Sequence, residues 1–280
     1  MGVRRRAAGK RQVPEVLVES ISPGRTLRGL LWAEKDLKNR YRFAELNIGV
    51  SSLHDDVHRL CRDYLADGTE TAFDVSTDQA DIDYERDRSI REDEYEGHPV
   101  RHFGEGYLET LAVYRKIAEK MPEYDTILFH GSCVAVDGEG YMFTAKSGTG
   151  KSTHTRLWRE LFGGRAVMIN DDKPLIRISE GGATIYGTPW DGKHRLSTNA
   201  GVPLKALCIL ERAEKNSIRR ISAYEAYPML LQQSYRPSDP AAMNKTLTLI
   251  DRLAETVGLW RLGCNMDIEA AKVAYEAMRG

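Results

Sequence analysis

The chain has 280 residues, and 40 Lys and Arg against 41 Asp and Glu give it a formal net charge of −1. A chain of this length can bury one large core or two modest ones. The balanced charge provides no general attraction to nucleic acid or to an anionic membrane. No segment approaches the roughly 18 consecutive apolar residues of a membrane span. We therefore expect a globular protein without a membrane partner, and nucleic acid is not an expected partner.

The four cysteines, Cys61, Cys133, Cys208 and Cys264, are far apart and form no C-x-x-C pair. This spacing favours reduced thiols over a disulfide framework or a zinc site. It predicts a cytoplasmic location.

The N-terminal part is predicted to hold a disordered basic tail at residues 1–14 and a small α+β segment at residues 15–105. The run YRFAELNIGV at 41–50 has strand-like content. A helix is expected to start at Ser51 or Ser52 and to stop at Gly68. The run TAFDVSTDQADIDYERD at 71–87 alternates enough to predict another strand, followed by a solvated, mobile connection over 87–96.

Residues 106–280 are predicted to form the catalytic domain. The pattern GEGYLETLAVYRKIAEKM predicts an amphipathic helix that ends before Pro122. Two apolar runs joined by DGEG at 137–140 predict a hairpin. The run KSTHTRLWRELFGG reads as a helix, and strands are predicted in RAVMINDDKPLIRI, GGATIYGTPW and VPLKALCILE. From about Ser222 the chain is predicted to be helical to its end.

The stretch FTAKSGTGKSTHTRLW, residues 143–158, is similar to the phosphate-binding pattern G-x-x-x-x-G-K-[ST], with Ala145 at the first Gly position. An apolar run precedes it and a helical pattern follows, which is the context that the motif requires. Backbone N–H groups at the start of such a helix can surround a phosphate chain. The predicted nucleotide-binding residues are Ser147, Gly148, Thr149, Gly150, Lys151, Ser152 and Thr153. Lys151 is expected to reach the β- and γ-phosphates, and the Ser152 hydroxyl to bind Mg²⁺.

An acidic pair follows this loop in the sequence, at the end of the next predicted strand. Asp171 and Asp172 end an apolar run 20 residues after Lys151, so the next strand would deliver two carboxylates near the phosphates. An acid there could hold Mg²⁺ or take a proton from an acceptor hydroxyl. His130 also ends an apolar run and is a weaker candidate by itself.

The segment PWDGKHR at 189–195 is the best candidate for a substrate loop. Asp191, Lys193, His194 and Arg195 surround a Gly after a predicted strand. A Lys or Arg there could neutralise the transferred phosphate, so Arg195 is a candidate catalytic residue. A charged surface hairpin is the alternative interpretation.

Together, HGSCVAVDGEGYMFTAKSGTGKST and RAVMINDD resemble the catalytic domain of HPr kinase/phosphorylase and the nucleotide-binding core of ATP-dependent phosphoenolpyruvate carboxykinase. The resemblance covers about His130 to Asp172. It implies an α/β fold with a phosphoenolpyruvate carboxykinase-like P-loop core and a mixed β-sheet, to which this chain adds the N-terminal segment and a helical C-terminus. Residues 1 to about 105 do not resemble the N-terminal domain of HPr kinase.

The resemblance also implies roles for individual residues. Lys151 and Ser152 correspond to the loop Lys and Ser, Asp171 and Asp172 to the acidic pair, and His130 to the active-site His. One carboxylate acts as the base in the family; Asp171 is the preferred base here and Asp172 the preferred Mg²⁺ ligand, although the sequence does not separate the two. The arginine-rich signature of HPr kinase is not evident, which argues against HPr as the substrate and against phosphorylase activity. Self-association is plausible from the resemblance.

These patterns predict a kinase that uses ATP and Mg²⁺ and transfers the γ-phosphoryl group to a hydroxyl of a small molecule, peptide or protein. Two alternatives remain open from the sequence. One is a conventional P-loop kinase with a parallel sheet, in which the metal-linked acid usually lies on a later strand. The other is a regulatory protein that binds a nucleotide without transferring phosphate.

Overall fold

The computed structural model describes residues 37–280. The basic tail predicted at residues 1–14, with the chain up to residue 36, lies outside the described residues.

The N-terminal segment begins with a small three-stranded sheet. Strands β1 (Leu37–Phe43) and β2 (Leu46–Ser52) form an antiparallel hairpin, and β3 (Phe73–Ser76) pairs with β2 in parallel. The strand predicted at 41–50 is therefore interrupted by a turn, where Ala44 and Glu45 adopt positive φ values of 46° and 65°.

The first helix is shorter than predicted. Helix α1 (Asp55–Leu60) is followed by a single 3₁₀ turn and ends well before Gly68. Ser52 still belongs to β2, and its hydroxyl donates to the carbonyl of His54 instead of capping a helix. The prediction that Ser51 or Ser52 caps this helix is wrong, because both residues belong to strand β2.

The strand predicted at 71–87 is confirmed only for β3, and most of the rest of it forms one helix, α2 (Gln79–Glu96), with the charged stretch predicted as a mobile connection. Both predictions are wrong over this helix. Asp78 and Asp81 form a reciprocal capping box at its start, and Gly97 ends it in the left-handed conformation. Its sequence lacks an apolar stripe because two of its buried side chains are the carboxylates Glu85 and Asp93. These bind arginines from outside the helix, so its stability depends on tertiary ion pairs that hydrophobic periodicity does not reveal.

The remaining elements follow in chain order: α3 (Glu105–Lys120), β4 (Thr126–Leu128), β5 (Ser132–Val136), β6 (Glu139–Thr144), α4 (Lys151–Phe162), β7 (Ala166–Asn170), β8 (Leu175–Ser179), β9 (Gly182–Tyr186), β10 (Gly201–Arg212), β11 (Ser217–Arg220), α5 (Ala223–Gln233), α6 (Pro240–Thr256), β12 (Gly258–Cys264) and α7 (Ile268–Met278). The amphipathic helix before Pro122, the hairpin at 137–140 and the helix after the Gly-rich loop are confirmed.

In the described part of the chain, nine strands form one mixed sheet. The long strand β10 pairs with three other strands of this sheet. The start of β10 pairs antiparallel with β9, and its later part pairs in parallel with β6 and with β12. Strand β5 lies between β6 and β7, antiparallel to both. The α/β class with a mixed sheet is confirmed, whereas a phosphoenolpyruvate carboxykinase-like core stays a prediction.

The prediction of a wholly helical C-terminus is wrong. Strand β12 separates α6 from α7 and pairs with both β10 and β11. Its sequence GLWRLGC contains two Gly, and it is short and bounded by helices, so neither strand content nor turn residues mark it clearly. Pairing with the buried strand β10 decides its conformation.

Three buried clusters hold the described residues together. One joins α5 and α6 to the sheet, one packs α4 and α7 on the opposite side of β5, β6 and β10, and one joins the N-terminal segment to α3 and Trp190. The described residues, 37–280, belong to one compact unit. The boundary predicted between residues 105 and 106 stays a prediction, and the third cluster spans it.

Candidate functional site

The Gly-rich loop connects the end of β6 to the start of α4, as the motif requires. Gly148 and Gly150 have φ values of 73° and 122°, which side chains with a Cβ rarely adopt. Gly150 is the N-cap of α4, so the first free N–H groups of the helix follow it directly. Ser147 and Gly148 are exposed, while residues 149–153 are half-buried. This geometry suits an anion held at a helix N-terminus.

Ala145 occupies a core position. Its side chain is fully buried with α4 and β6, and it is not among the non-Gly residues with positive φ. Its carbonyl accepts a hydrogen bond from Lys151 Nζ at 3.5 Å. The departure from the usual first Gly therefore costs this loop no backbone strain.

Arg212, at the end of β10, forms hydrogen bonds with the loop. Its guanidinium donates to the carbonyls of Gly148 at 2.5 Å and Thr149 at 3.4 Å. These bonds satisfy carbonyls on the outer side of the loop. Sequence analysis missed this residue, because 61 residues and several elements separate it from Lys151.

Asp171 follows β7 directly and is held by the strand beside it. The hydroxyl of Ser132, at the start of β5, donates to Asp171 Oδ1 at 2.6 Å. Because Ser132 gives its single proton to Asp171, Thr155 on α4 is the donor in the 2.9 Å hydrogen bond between the two hydroxyls. All three of Ser132, Asp171 and Thr155 are buried. Two hydrogen bonds thus link Asp171 of the predicted acidic pair, through Ser132, to Thr155 on α4.

Asp172 pairs with two cationic or potentially cationic groups. Its Oδ1 lies 3.2 Å from His130 Nε2 and 3.8 Å from Lys173 Nζ. Burial alone would raise its pKa, but the His130 hydrogen bond and the charges of Lys173 and Lys151 outweigh burial and lower it. Burial also lowers the pKa of His130, against the opposing effect of the bond to Asp172. Asp172 is therefore a stable anion beside a predominantly neutral imidazole near pH 7.

Lys151 shares the electrostatic environment of the acidic pair. Burial lowers the pKa of its ammonium group, while the charges of Asp172 and Asp171 act in the opposite direction. A partly desolvated ammonium group interacts more strongly with an anion than an exposed one does. The structure thus brings together His130, Lys151, Ser152, Asp171 and Asp172, which the sequence places over 43 positions.

Asn170 shapes the turn that carries the two carboxylates. Its Oδ1 accepts hydrogen bonds from the backbone N–H of Asp172 at 2.8 Å and of Lys173 at 2.6 Å. Its Nδ2 donates to the carbonyl of Thr188 at 2.9 Å, which ties this turn to the segment before Trp190. An Asn immediately before an Asp-Asp pair is the sequence signal that could have revealed this role.

The predicted substrate loop lies against this turn. Gly192 has a φ of 74°, and a Cβ added to it would lie 3.2 Å from the Cβ of Asp172. Asp191 is buried and accepts a hydrogen bond from the Ser197 hydroxyl at 2.9 Å. Arg195 is exposed, with Nη1 3.5 Å from Asp191 Oδ1. Lys193 and His194 are also exposed.

A large cleft of about 1020 Å³ lies beside Asp172 and the loop at 189–195. Its other walls come from α1, the 3₁₀ turn after it and α3. Five aromatic side chains line it: Tyr64, Phe103, Tyr107, Tyr114 and Trp190. Five cationic side chains line it as well: Arg59, Arg62, Lys173, Lys193 and Arg195. The cleft can hold an organic molecule next to the acidic pair.

The residues at this site fit a magnesium ion that accompanies a polyphosphate. No cluster of three or more His, Cys, Asp or Glu suited to a metal occurs among residues 37–280. Mg²⁺ usually takes one or two carboxylates, several waters and substrate phosphate oxygens rather than a cage of protein ligands. The Ser152 hydroxyl and a carboxylate of the Asp171-Asp172 pair offer that donor set.

Comparisons with known proteins give little further guidance. No family model and no curated protein matches the chain. Among solved structures, the HPr(Ser) kinase/phosphatase from Coxiella burnetii is similar with a TM-score of 0.30 and 10% sequence identity, over 55% of this chain and 99% of that chain. A TM-score of 0.30 does not establish a shared activity, so the functional conclusion depends on the geometry of the site. Within the described chain, no helix has the length and apolar character needed to span a membrane.

Proposed function

We propose that the protein is a kinase that binds ATP with Mg²⁺ and transfers the γ-phosphoryl group to an acceptor hydroxyl. The supporting observation is the pair of hydrogen bonds that joins Asp171, through Ser132, to Thr155 on α4. It couples a carboxylate to the helix whose N-terminus follows the Gly-rich loop. A loop that only bound nucleotide would not require a buried carboxylate oriented in this way.

In the proposed reaction, the acceptor oxygen forms a bond to the γ-phosphorus while the bond from that phosphorus to the β-phosphate oxygen breaks. ADP leaves, and the acceptor proton passes to a carboxylate. The loop N–H groups and Lys151 hold the phosphates and reduce the charge that develops on them. Mg²⁺ would supply additional charge neutralisation from Ser152 and one carboxylate of the pair.

We assign the base role to Asp171 and the metal-linked role to Asp172. Asp172 is engaged by His130 and Lys173, which favour its ionised form and suit it to a cation. Asp171 receives its hydrogen bond from Ser132 on Oδ1. Among the described residues no hydrogen bond reaches its Oδ2, which leaves that oxygen for an acceptor hydroxyl.

The acceptor is proposed to bind in the large cleft. The cleft meets the site at Asp172 and Lys173, and Arg195 and Lys193 lie on its rim. We propose that Arg195 neutralises the transferred phosphate, a role that requires it to leave Asp191. The acceptor class stays open between a small molecule, a peptide and a protein side chain, as do the cytoplasmic location and self-association.

Labelled ATP and a panel of hydroxyl metabolites and peptides test this function. We expect phosphoryl transfer to at least one acceptor, and a loss of about 10²- to 10³-fold in Lys151→Ala, because one preorganised charge contact is removed. The matched control is Lys245→Ala, since Lys245 lies on α6 and pairs with Asp125. Unchanged ATP turnover and transfer in Lys151→Ala would contradict the proposal. Tight ATP binding without transfer to any acceptor would favour a regulatory nucleotide-binding protein instead.

A further inference from the structure

A second cavity lies against the Gly-rich loop, and we call it the loop cavity. Its volume is about 500 Å³, and it shares no lining residue with the large cleft. Thr149, Thr153 and His154 line one side. The volume falls in the range of about 300–1,000 Å³ that is typical of small-molecule pockets.

The opposite side of the loop cavity is mainly apolar. Leu210 and Ala213 come from the end of β10 and just after it, and Met266 follows β12. Met266 is 77% exposed, although it is a large apolar side chain at the rim of a cavity. Methionine is flexible and polarisable, so it packs well against flat ligands. The cavity therefore combines an apolar wall with the helix start that faces the phosphates.

His154 lines this cavity, and its side chain has one unsatisfied polar atom. Its side chain is only 2% exposed. The Trp158 indole N–H donates to its Nε2 at 3.1 Å. Because an indole can only donate, Nε2 is the acceptor, and the proton of the neutral imidazole resides on Nδ1. Nδ1 has no hydrogen-bond partner among the described residues.

A buried donor without an acceptor is unfavourable and rare in folded proteins. His154 lines the loop cavity, so a molecule bound there would supply this acceptor. A nucleoside fits these requirements: its base has flat apolar faces, and its base and ribose carry nitrogen and oxygen acceptors. An inorganic polyphosphate would leave the apolar wall without a partner.

We infer that the loop cavity binds the nucleoside of the nucleotide, with the His154 Nδ1–H donating to a nucleoside acceptor atom and Met266 packing on its apolar surface. The inference rests on the proposed function, because the Gly-rich loop has to hold the phosphates for the nucleoside to enter this cavity. It assigns recognition of the nucleoside to side chains outside the phosphate-binding motif.

Isothermal titration with Mg·ATP and with Mg·tripolyphosphate tests the inference. The ratio of the two dissociation constants measures what the nucleoside contributes. We expect the wild-type protein to bind ATP at least about tenfold more tightly than tripolyphosphate. A tenfold difference corresponds to a contribution of about 1.4 kcal/mol from the nucleoside. In His154→Phe and in Met266→Asp the ratio should fall by about 2- to 10-fold. The ratio removes the repulsion between the new carboxylate and the phosphates, because both ligands carry the phosphate chain.

Two controls separate binding from folding. Tyr224→Asp changes another exposed large apolar side chain, which lies on α5 away from the loop cavity, and should leave both affinities unchanged. His154→Phe removes the acceptor of the Trp158 indole and can reduce stability, whereas Met266 is exposed and Met266→Asp should melt like the wild type. The Met266 variant therefore tests the cavity even if the His154 variant folds poorly.

The outcomes distinguish this inference from the proposed function. Equal affinity for ATP and tripolyphosphate, or an unchanged ratio in Met266→Asp, would overturn the nucleoside assignment while leaving the phosphate loop intact. Failure of both ligands to bind would overturn the proposed function and the nucleoside assignment with it.

Discussion

The Gly-rich loop and the large cleft are built in opposite ways. The loop and the first turn of α4 come from one stretch of ten residues, Ala145 to His154. The large cleft is assembled from four separate segments, near residues 56–64, 103–114, 172–173 and 189–197. Asp172 lines the cleft. It also follows Asp171 in the turn that Asn170 stabilises, so it belongs to both halves of the site.

This difference indicates how the two halves of the site can vary. In the proposed function, phosphate binding depends on backbone N–H groups, a Lys and a hydroxyl, so a short motif suffices and tolerates few changes. The cleft depends on side chains that separate elements bring together, so its selectivity can change without affecting the motif. Variants on each side should therefore affect different measurements.

The largest effect is expected from the carboxylate proposed as the base. Asp171→Asn should lower phosphoryl transfer by about 10²- to 10⁴-fold, because general base catalysis is lost, with little change in the dissociation constant of ATP. Asp251→Asn, on the exposed side of α6, is the control. A rate of transfer close to the wild type would assign the base role to another group, and the first candidate would then be Asp172.

Ser132 should have an intermediate effect, because it orients Asp171 without contacting a substrate. We expect Ser132→Ala to lower kcat by about 3- to 10-fold and to leave the KM for ATP unchanged, since the hydrogen bond that orients Asp171, worth about 1 kcal/mol, is lost. The control is Ser179→Ala, whose hydroxyl bonds to Gly182 at the surface. A rise in KM without a fall in kcat would show that Ser132 affects nucleotide binding instead.

The smallest effect concerns helix α2, which binds the helix α3 that lines the cleft. Asp81 on α2 binds Arg115 and Lys116 of α3. Burial would raise the pKa of Asp81, but these two hydrogen bonds outweigh it and lower the pKa. Stability from a carboxyl with a lowered pKa is present above its ordinary value of about 3.9 and is lost as the pH falls through the lower folded value.

Asp81→Asn should therefore reduce the free energy of unfolding by about 1 kcal/mol at pH 7, the magnitude of a partly screened ion pair. The difference from the wild type should shrink towards zero as the pH falls below the folded pKa of Asp81. Urea unfolding at pH 7 and at a pH below the folded pKa of Asp81 measures this difference. A difference that persists in strong acid would mean that the variant disturbs packing, and the capping contact to Asp78 would be the first place to look.

Several parts of the candidate site could be predicted because their signals are local. The spacing of Gly148, Gly150 and Lys151 between an apolar run and a helical pattern predicts a phosphate loop, and the structure gives both glycines positive φ. Asp171 and Asp172 at the end of the next strand were predicted as neighbours of the loop, and their side chains interact with Ser132 and His130. Their chemical roles stay predictions.

Other parts could not be predicted because they depend on distant partners. The first half of helix α2 was predicted as a strand and its second half as a mobile connection, since its buried Glu85 and Asp93 are stable only beside Arg115 and Arg101. Arg212 reaches the loop from β10, and nothing in its own neighbourhood marks it. The strand β12 was missed because pairing with β10, rather than its composition, decides its conformation.

The sequence by itself determined the conformation of the Gly-rich loop, because positive φ values and a helix start are set by residues a few positions apart. It also determined the order of Ser132, the hairpin, the loop and the acidic pair along the chain. Only the tertiary structure decided that Ser132 and Thr155 hold Asp171, that His154 lacks an acceptor beside the loop cavity, and that α1 and α3 enclose a cleft next to Asp172. Contacts between side chains far apart in sequence form only when the sheet and its helices pack, so no local pattern contains them.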